Sequence, residues 1–397
     1  MDLFVRLNPE TRRVLDGIPA LIDRTFPLPG RFRSALPADV AELSRLLTSG
    51  RGGRSLSYLG RPNLLSAYLR YFLPWNLCRL CRLLPGLPIP LAANDAVTDL
   101  GCGPLTFCAA LWISRPDLRG VPLEFRCVDR SGPALEAGKK FFAALAGDSP
   151  WKIITVKGDF GAGVVSGGHG TAFALKGKPA ALVCAVNVFN ENYDGIPQRN
   201  TEEFVRSAEV SARLLDGFAG DGASILVVEP GVPCSGQFIS LLRAALIERK
   251  RRPLSPCPHE GACPFPGGVS RTGKNRWCHF AFETEDAPQS LHRLSALVNI
   301  PKERAVLSFL LTGPALPAPA QSAVPETSAR LISDAFPLPD RRFGRYGCSE
   351  RGLVLIAGEK KTIEETPSGA LINAAFPPGG QRDPKSKALM AIIAGKC

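Results

Sequence analysis

The stretch VTDLGCGPLTF, Val97–Phe107, decides the fold. Its first four residues read as the end of a buried strand. Gly101 and Gly103 then allow the backbone to turn tightly and to approach a ligand closely. A helix starting just beyond would point its N-terminus at that ligand. On either side of this turn, short β-branched runs alternate with helical stretches. The strands predicted are AVTDL, LEFRCVD, KIITVKGD, AALVCAVNVF, ASILVVE, WCHFAFE and AVLSFLLTG. The clearest helices are Thr201–Phe218, Ser235–Lys250 and PQSLHRLSALVN. Such alternation predicts an α/β fold with a mostly parallel, Rossmann-like sheet of about seven strands.

Before this pattern, residues 1–90 read as an N-terminal helical region. LLSAYLRYFLPWNLCRLCRLL, Leu64–Leu84, has apolar residues at helical spacing and a predicted break at Pro74. The α/β domain is expected over 91–315, with a cysteine-rich insert at 253–280. TGPALPAPAQSAVPETS then reads as a linker. Beyond it, 316–397 is expected to hold a small β unit, from ARLISDAF and RGLVLIAGE, and a loose C-terminal tail.

The chain has 397 residues, 45% of them hydrophobic, enough for a sizeable core. Lys and Arg outnumber Asp and Glu by 48 to 36, a formal charge of +12. That excess favours a polyanionic partner such as RNA, although solubility alone would also account for it. No apolar run reaches the ~18 residues of a membrane span. The greasy segment Leu64–Ala93 is interrupted by Arg70, Arg79 and Arg82. The first residues lack the apolar stretch of a signal peptide and carry Asp2, Glu10 and Asp16. A cytoplasmic address without a membrane is therefore expected, and the twelve cysteines are expected to be thiols or ligands rather than disulfides.

Two acids are placed to meet a nucleotide. Asp129 ends the second strand, where an acid can bind ribose hydroxyls, and Asp159 ends the third, within reach of an adenine. A dinucleotide fingerprint needs a third glycine where this chain has Thr106. The pattern Asp99-Leu-Gly101-Cys-Gly103 instead resembles the first motif of class I S-adenosylmethionine (SAM) methyltransferases. Many members of that family have a further glycine at the position of Leu105, whose side chain is expected to crowd the methionine moiety. A degenerate fold with no cofactor is the alternative. After the fourth strand, NVFNENYD offers Asn187, Asn190 and Glu191 but lacks the prolines of amino-methylating enzymes. VPCSG resembles a nucleophilic Pro-Cys motif, yet Cys234 follows the fifth strand rather than the fourth.

The insert SPCPHEGACPFPGGVSRTGKNRWCHF, Ser255–Phe280, carries Cys257, Cys263 and Cys278. Five residues separate the first two, slightly wide for zinc, and fourteen separate the second and third. Iron–sulfur clusters tolerate irregular spacing. A fourth ligand is needed: Cys348, on an expected turn in RYGCSERG, with His259 and His279 as rivals. Cys78 and Cys81, in CRLC, lie in a helix without a second pair. Cys102, Cys108, Cys127 and Cys184 sit in apolar contexts and read as core residues. Beside the insert, ERKRRP sets Arg249, Lys250, Arg251 and Arg252 in a row, and Arg271, Lys274 and Arg276 lie within it. Such charges suit phosphate contacts, and equally a solvated helix end.

Taken together, VTDLGCGP, VVEPGVPCSGQFISLLRAAL, CPHEGACPF with WCHF, and GRYGCSERG resemble the methyltransferase-like family of the small ribosomal subunit, known from bacteria and mitochondria. The likeness runs from about Ala92 to Gly358. It implies a class I methyltransferase domain with an inserted [4Fe–4S] site whose ligands are Cys257, Cys263, Cys278 and Cys348. It also implies a SAM cofactor, the small ribosomal subunit and its rRNA as partners, and a role in ribosome assembly or translation. Two functions remain open: an rRNA methyltransferase, or a non-catalytic assembly factor that uses the fold and cluster as an RNA-binding scaffold.

Overall fold

A computed structural model describes residues 3–48, 58–158, 177–191, 193, 201–265, 276–314 and 326–396. The central sheet is built from β1 (Ala96–Leu100), β2 (Glu124–Asp129), β3 (Lys152–Lys157), β4 (Ala180–Val186), β5 (Ala219–Pro230), β6 (Arg251–Ser255), β7 (Phe280–Glu283) and β8 (Arg304–Pro314). Their order is β3-β2-β1-β4-β5-β8-β6, with β7 also on β8. The first five run parallel, and β8 enters antiparallel beside β5. This is the class I SAM-methyltransferase arrangement predicted from the sequence. The central strands β1 and β4 are buried along most of their length because helices cover both faces. One core joins the helices Thr106–Ser114 and Gly132–Ala146 to the N-terminal helices, and the other takes Thr201–Phe218 and Pro233–Glu248.

The sheet edge explains the insert. β6 pairs with Leu311–Pro314 of β8, and β7 pairs with Arg304–Leu307 of the same strand, both antiparallel. The two segments are halves of one edge strand, and the chain leaves the sheet between them. From sequence, Arg249–Arg252 reads as a phosphate-contacting run or a solvated helix end, and no strand is expected over the Arg251–Ser255 segment. Its alternation of buried and half-buried residues shows the strand.

The N-terminal helices Pro9–Thr25, Gly30–Thr48, Pro62–Ala67 and Leu73–Leu83 pack into the same core as the sheet. Pro74 does not break the last of them. A π-turn, Tyr68–Phe72, precedes it, and Pro74 falls in the first turn, where a missing N–H costs little. Buried Arg82 pairs with Asp286 at 2.7 Å, tying this helix to the loop before the helix Gln289–Leu297.

The C-terminal region departs further from expectation. It comprises β9 (Ser328–Leu331), β10 (Phe336–Pro337), β11 (Phe343–Ser349), β12 (Gly352–Gly358), the helix Lys360–Glu365, β13 (Leu371–Ala375) and β14 (Leu389–Lys396). β9 pairs with both β11 and β13, so the sheet closes on itself around Leu331, Val354, Ile356 and Ile372. The stretch expected to be a loose tail supplies β13 and β14. Leu389 and Ala391 point into the barrel, a period-two signal hidden in the sequence by the Pro- and Gly-rich loop before them. Cys348, expected on a turn, lies within β11.

Candidate functional site

The first cleft lies at the carboxyl ends of β1, β2 and β4. Gly101 and Gly103 both have positive φ, +67° and +51°. A β-carbon on Gly101 would sit 2.5 Å from Val188 Cγ2, so only glycine fits there. Leu105 also has positive φ, 58°, and is fully buried. Its side chain does not crowd the cleft: it packs where a β-carbon on Gly138 would lie, 2.4 Å from Leu105 Cδ1. The missing side chain of Gly138 thus makes room for the one Leu105 adds.

Asp129 Oδ2 accepts the Gly103 N–H at 2.9 Å, and Oδ1 accepts that of Ser131 at 2.7 Å. Burial raises its carboxyl above the ordinary value while these bonds oppose the rise. Asp99 is fully buried and its oxygens lack a conventional hydrogen-bond partner, the nearest donor being the weak Cys184 thiol. Burial pushes it up to about 8, so at neutral pH it is uncharged. Asp159 lies outside the described residues.

Asn187 follows β4 with φ 56°. Arg79 Nη2 donates to Asn187 Oδ1 at 2.8 Å and to Asn76 Oδ1 at 2.9 Å, fastening an N-terminal helix over the strand ends. Arg79 Nε is buried without a partner, and burial lowers the guanidinium to about 10. Glu191 pairs with Arg130 at 2.5 Å and accepts the Tyr58 hydroxyl at 3.2 Å. Asn190 contributes its N–H to a residue the sequence reading missed, Glu229. This fully buried carboxylate accepts the N–H groups of Val188, Phe189 and Asn190 at 3.1, 2.9 and 3.2 Å, and the Tyr193 hydroxyl at 3.2 Å. It shapes the loop after β4. Burial raises it to about 7 against those four bonds. An acid closing an otherwise apolar strand, ASILVVE, was the signal available.

Between Tyr68, Asn76, Asp99, Gly101, Thr106 and Asn187 a cavity of about 10 Å³ remains, room for one water. The glycine turn and Asp129 suit the ribose side of SAM. Cys234 lies in the first turn of the helix Pro233–Glu248, packed against the core of the Thr201–Phe218 face. Cys78 and Cys81 are buried core thiols, raised by burial.

The second site lies at the broken edge strand. Cys257 follows β6, Cys278 precedes β7, and Cys348 comes from the barrel. Burial raises the thiols of Cys257, Cys278 and Cys348. The charge each would carry is opposed by its neighbours in the group, Cys263 included. Two buried cations act the other way. Arg243 lowers all three, and Arg330 lowers Cys257 and Cys348. Arg243 Nη2 also holds the loop between Cys257 and Cys263, donating to His259 O at 2.8 Å and Gly261 O at 2.9 Å. Arg330 donates to Pro256 O at 3.0 Å and Gly369 O at 2.9 Å. Trp277 Nε1 donates to Gly231 O at 3.0 Å, and Ser308 Oγ to Cys278 O at 2.7 Å, fixing the third cysteine. Of the rival ligands, His259 Nε2 lies 3.1 Å from Cys348 Sγ, whereas His279 stacks on Trp277. Four thiols braced by buried guanidiniums suit a thiolate-bound metal group, since the cations offset the charge left after the thiol protons leave.

The basic run is largely engaged. Arg249 and Arg251 share Asp216, at 2.7 and 2.8 Å, and Arg252 pairs with Glu260 at 2.6 Å. Arg251 is buried and donates to Ala223 O at 3.1 Å and Gly220 O at 3.1 Å. Lys250, with φ 64°, has no ion pair among the described residues. Arg271 and Lys274 lie outside them.

Residues 205–334 match the family Rsm22, described as mitochondrial small ribosomal subunit Rsm22. That segment runs from the helix after β4 through the broken edge strand and Cys257, Cys263 and Cys278 to β9. No curated protein sequence matches. Among solved structures, the chain is similar to a candidate class I SAM-dependent methyltransferase from Listeria monocytogenes, at 12% identity over 78% of this chain and 88% of that one, TM-score 0.36. It is also similar to magnesium protoporphyrin IX methyltransferase from Synechocystis with bound SAM, at 11% identity over 70% and 97%, TM-score 0.33. The fold itself rests on the strand order. Among the described residues, no helix is long and apolar enough to cross a membrane.

Proposed function

We propose that this protein acts on the small ribosomal subunit as a SAM-dependent rRNA methyltransferase, with a [4Fe–4S] cluster held by Cys257, Cys263, Cys278 and Cys348. The observation that carries the reading is the broken edge strand: a methyltransferase sheet opens at its edge between Cys257 and Cys278, within the segment that matches Rsm22. SAM would supply an electrophilic methyl group. Asp129 would accept ribose hydroxyls, the turn at Gly101 and Gly103 would admit the cofactor backbone, and Asp159 is proposed for the adenine. Glu229 would fix the loop that presents Asn187 to the acceptor. The cluster would join the barrel to the sheet edge, and Lys250 would add positive charge near the RNA, its neighbouring arginines being paired with Asp216 and Glu260.

One observation favours a second reading, a non-catalytic assembly factor. Among the described residues, the part of the cleft beside Asp99 holds about 10 Å³, lined by Tyr68 and Asn76, and Arg79 is hydrogen-bonded to Asn187 beside it. Calorimetric titration of SAM into anaerobically purified protein, with and without small-subunit RNA, separates the two. Micromolar binding supports the enzyme, most clearly if RNA strengthens it. No heat under either condition leaves the scaffold reading.

A further inference from the structure

The C-terminal barrel has an order that the sequence did not suggest. Its ring runs β9-β11-β12-β14-β13 and back to β9. β12 and β14 run parallel, the other ring pairs are antiparallel, and the helix Lys360–Glu365 lies between β12 and β13. Numbered in chain order, the five strands close as 1-2-3-5-4-1. This is the topology of the OB barrel, whose members grip oligonucleotides with the face of strands 2 and 3 and with the loops joining strands 1–2 and 4–5.

Fold alone does not assign a ligand. Here the face of strands 2 and 3 is already used: Tyr346, Cys348 and Leu353 pack toward the main core and the cysteine site. The loop between strands 4 and 5, residues 376–388, remains open. We propose that this loop side of the barrel binds single-stranded RNA. Arg382, Lys385 and Lys387 are exposed there, and none has an ion pair among the described residues. They stand on a preformed turn. Asp383 Oδ2 accepts the Ser386 N–H at 2.6 Å and its hydroxyl at 2.5 Å, and the Lys387 N–H reaches Asp383 O at 2.8 Å. The one acid of the loop is thereby spent on the turn itself. Half-buried Phe376 opens the loop with the Arg351 guanidinium 4.7 Å from its ring centre, a pair on which a base can stack. Arg276 Nη1 donates to Ser386 O at 3.1 Å and extends the positive surface to the cysteine insert.

This inference deepens the proposed function and rests on it only for RNA being the polyanion. The test is fluorescence anisotropy of a labelled single-stranded oligouridylate titrated with the anaerobic full-length protein across a salt series. Circular dichroism melting and metal content check that each variant keeps its fold. R382Q/K385Q/K387Q should bind about a hundredfold more weakly at 0.1 M salt, with a salt slope shallower by about 2. Phe376→Leu should weaken binding by about tenfold and leave the slope unchanged. Wild-type binding that the triple variant retains in full overturns the surface and leaves the RNA reading standing. Duplex RNA bound as tightly as the single strand overturns the single-strand assignment. No binding by wild type at low salt overturns both the surface and the RNA reading.

Discussion

Two groups of four cysteines lie in this molecule, and their charged surroundings differ. Cys102, Cys108, Cys127 and Cys184 gather around Asp99, where ligand atoms of Asp99, Cys102 and Cys127 come within 4.8 Å of one another. Distance alone would nominate that group for a metal. Yet the charges acting on the Cys102, Cys108 and Cys184 thiols are acids and other thiols, and burial raises all three. The group Cys257, Cys263, Cys278 and Cys348 is faced by buried Arg243 and Arg330, which also strap the loop backbone beside it. Proximity of thiols makes a cluster of side chains; buried cations and fixed carbonyls suit it to carry charge.

The largest effect that would sharpen this contrast comes from the ligands. Cys348→Ser is expected to abolish metal binding and cut soluble yield several-fold, because ligation energy contributes to folding. Metal analysis and yield read it, and unchanged values would break the contrast. Next comes Arg243→Met, which removes the cation and two bonds to loop carbonyls. A loss of about 2–4 kcal/mol in urea unfolding is expected, with metal content falling in parallel. In the other group, Asp99 holds in the folded state a proton that the unfolded chain releases between its ordinary value and about 8. Across that window its contribution to stability falls as pH rises, by at most about 1.4 kcal/mol per pH unit. Asp99→Asn should flatten this dependence; an identical pH profile would show that the carboxyl is charged. The smallest effect is Cys108→Ala, expected to cost about 1 kcal/mol in denaturant with metal content unchanged. Metal loss in that variant would move the metal site into the sheet.

Much of this was legible in the sequence. The alternation from Ala96 to Pro314 gave the sheet, and its apolar strands could sit only between two helical layers. The insert cysteines were visible, but the reason for their place was not, since a strand split across two dozen residues leaves no local period. Pairing erased other readings. Arg249 and Arg251 looked like free charge because Asp216 is distant in sequence. Leu105 looked obstructive because Gly138 lies on another element. IDRTFPLPGRFR and ISDAFPLPDRRFG look alike, yet the first links two helices and the second runs through β10 into β11. Their surroundings, not their residues, decide which. The barrel was missed because its closure is a property of partners alone.

The most direct test of the account is metal and sulfide analysis of anaerobically purified full-length protein, read beside its visible spectrum. The account predicts about four irons and four acid-labile sulfides per chain, with a broad visible absorbance lost in Cys257→Ser and kept in Cys108→Ala. One zinc per chain, or a folded metal-free protein, would contradict it.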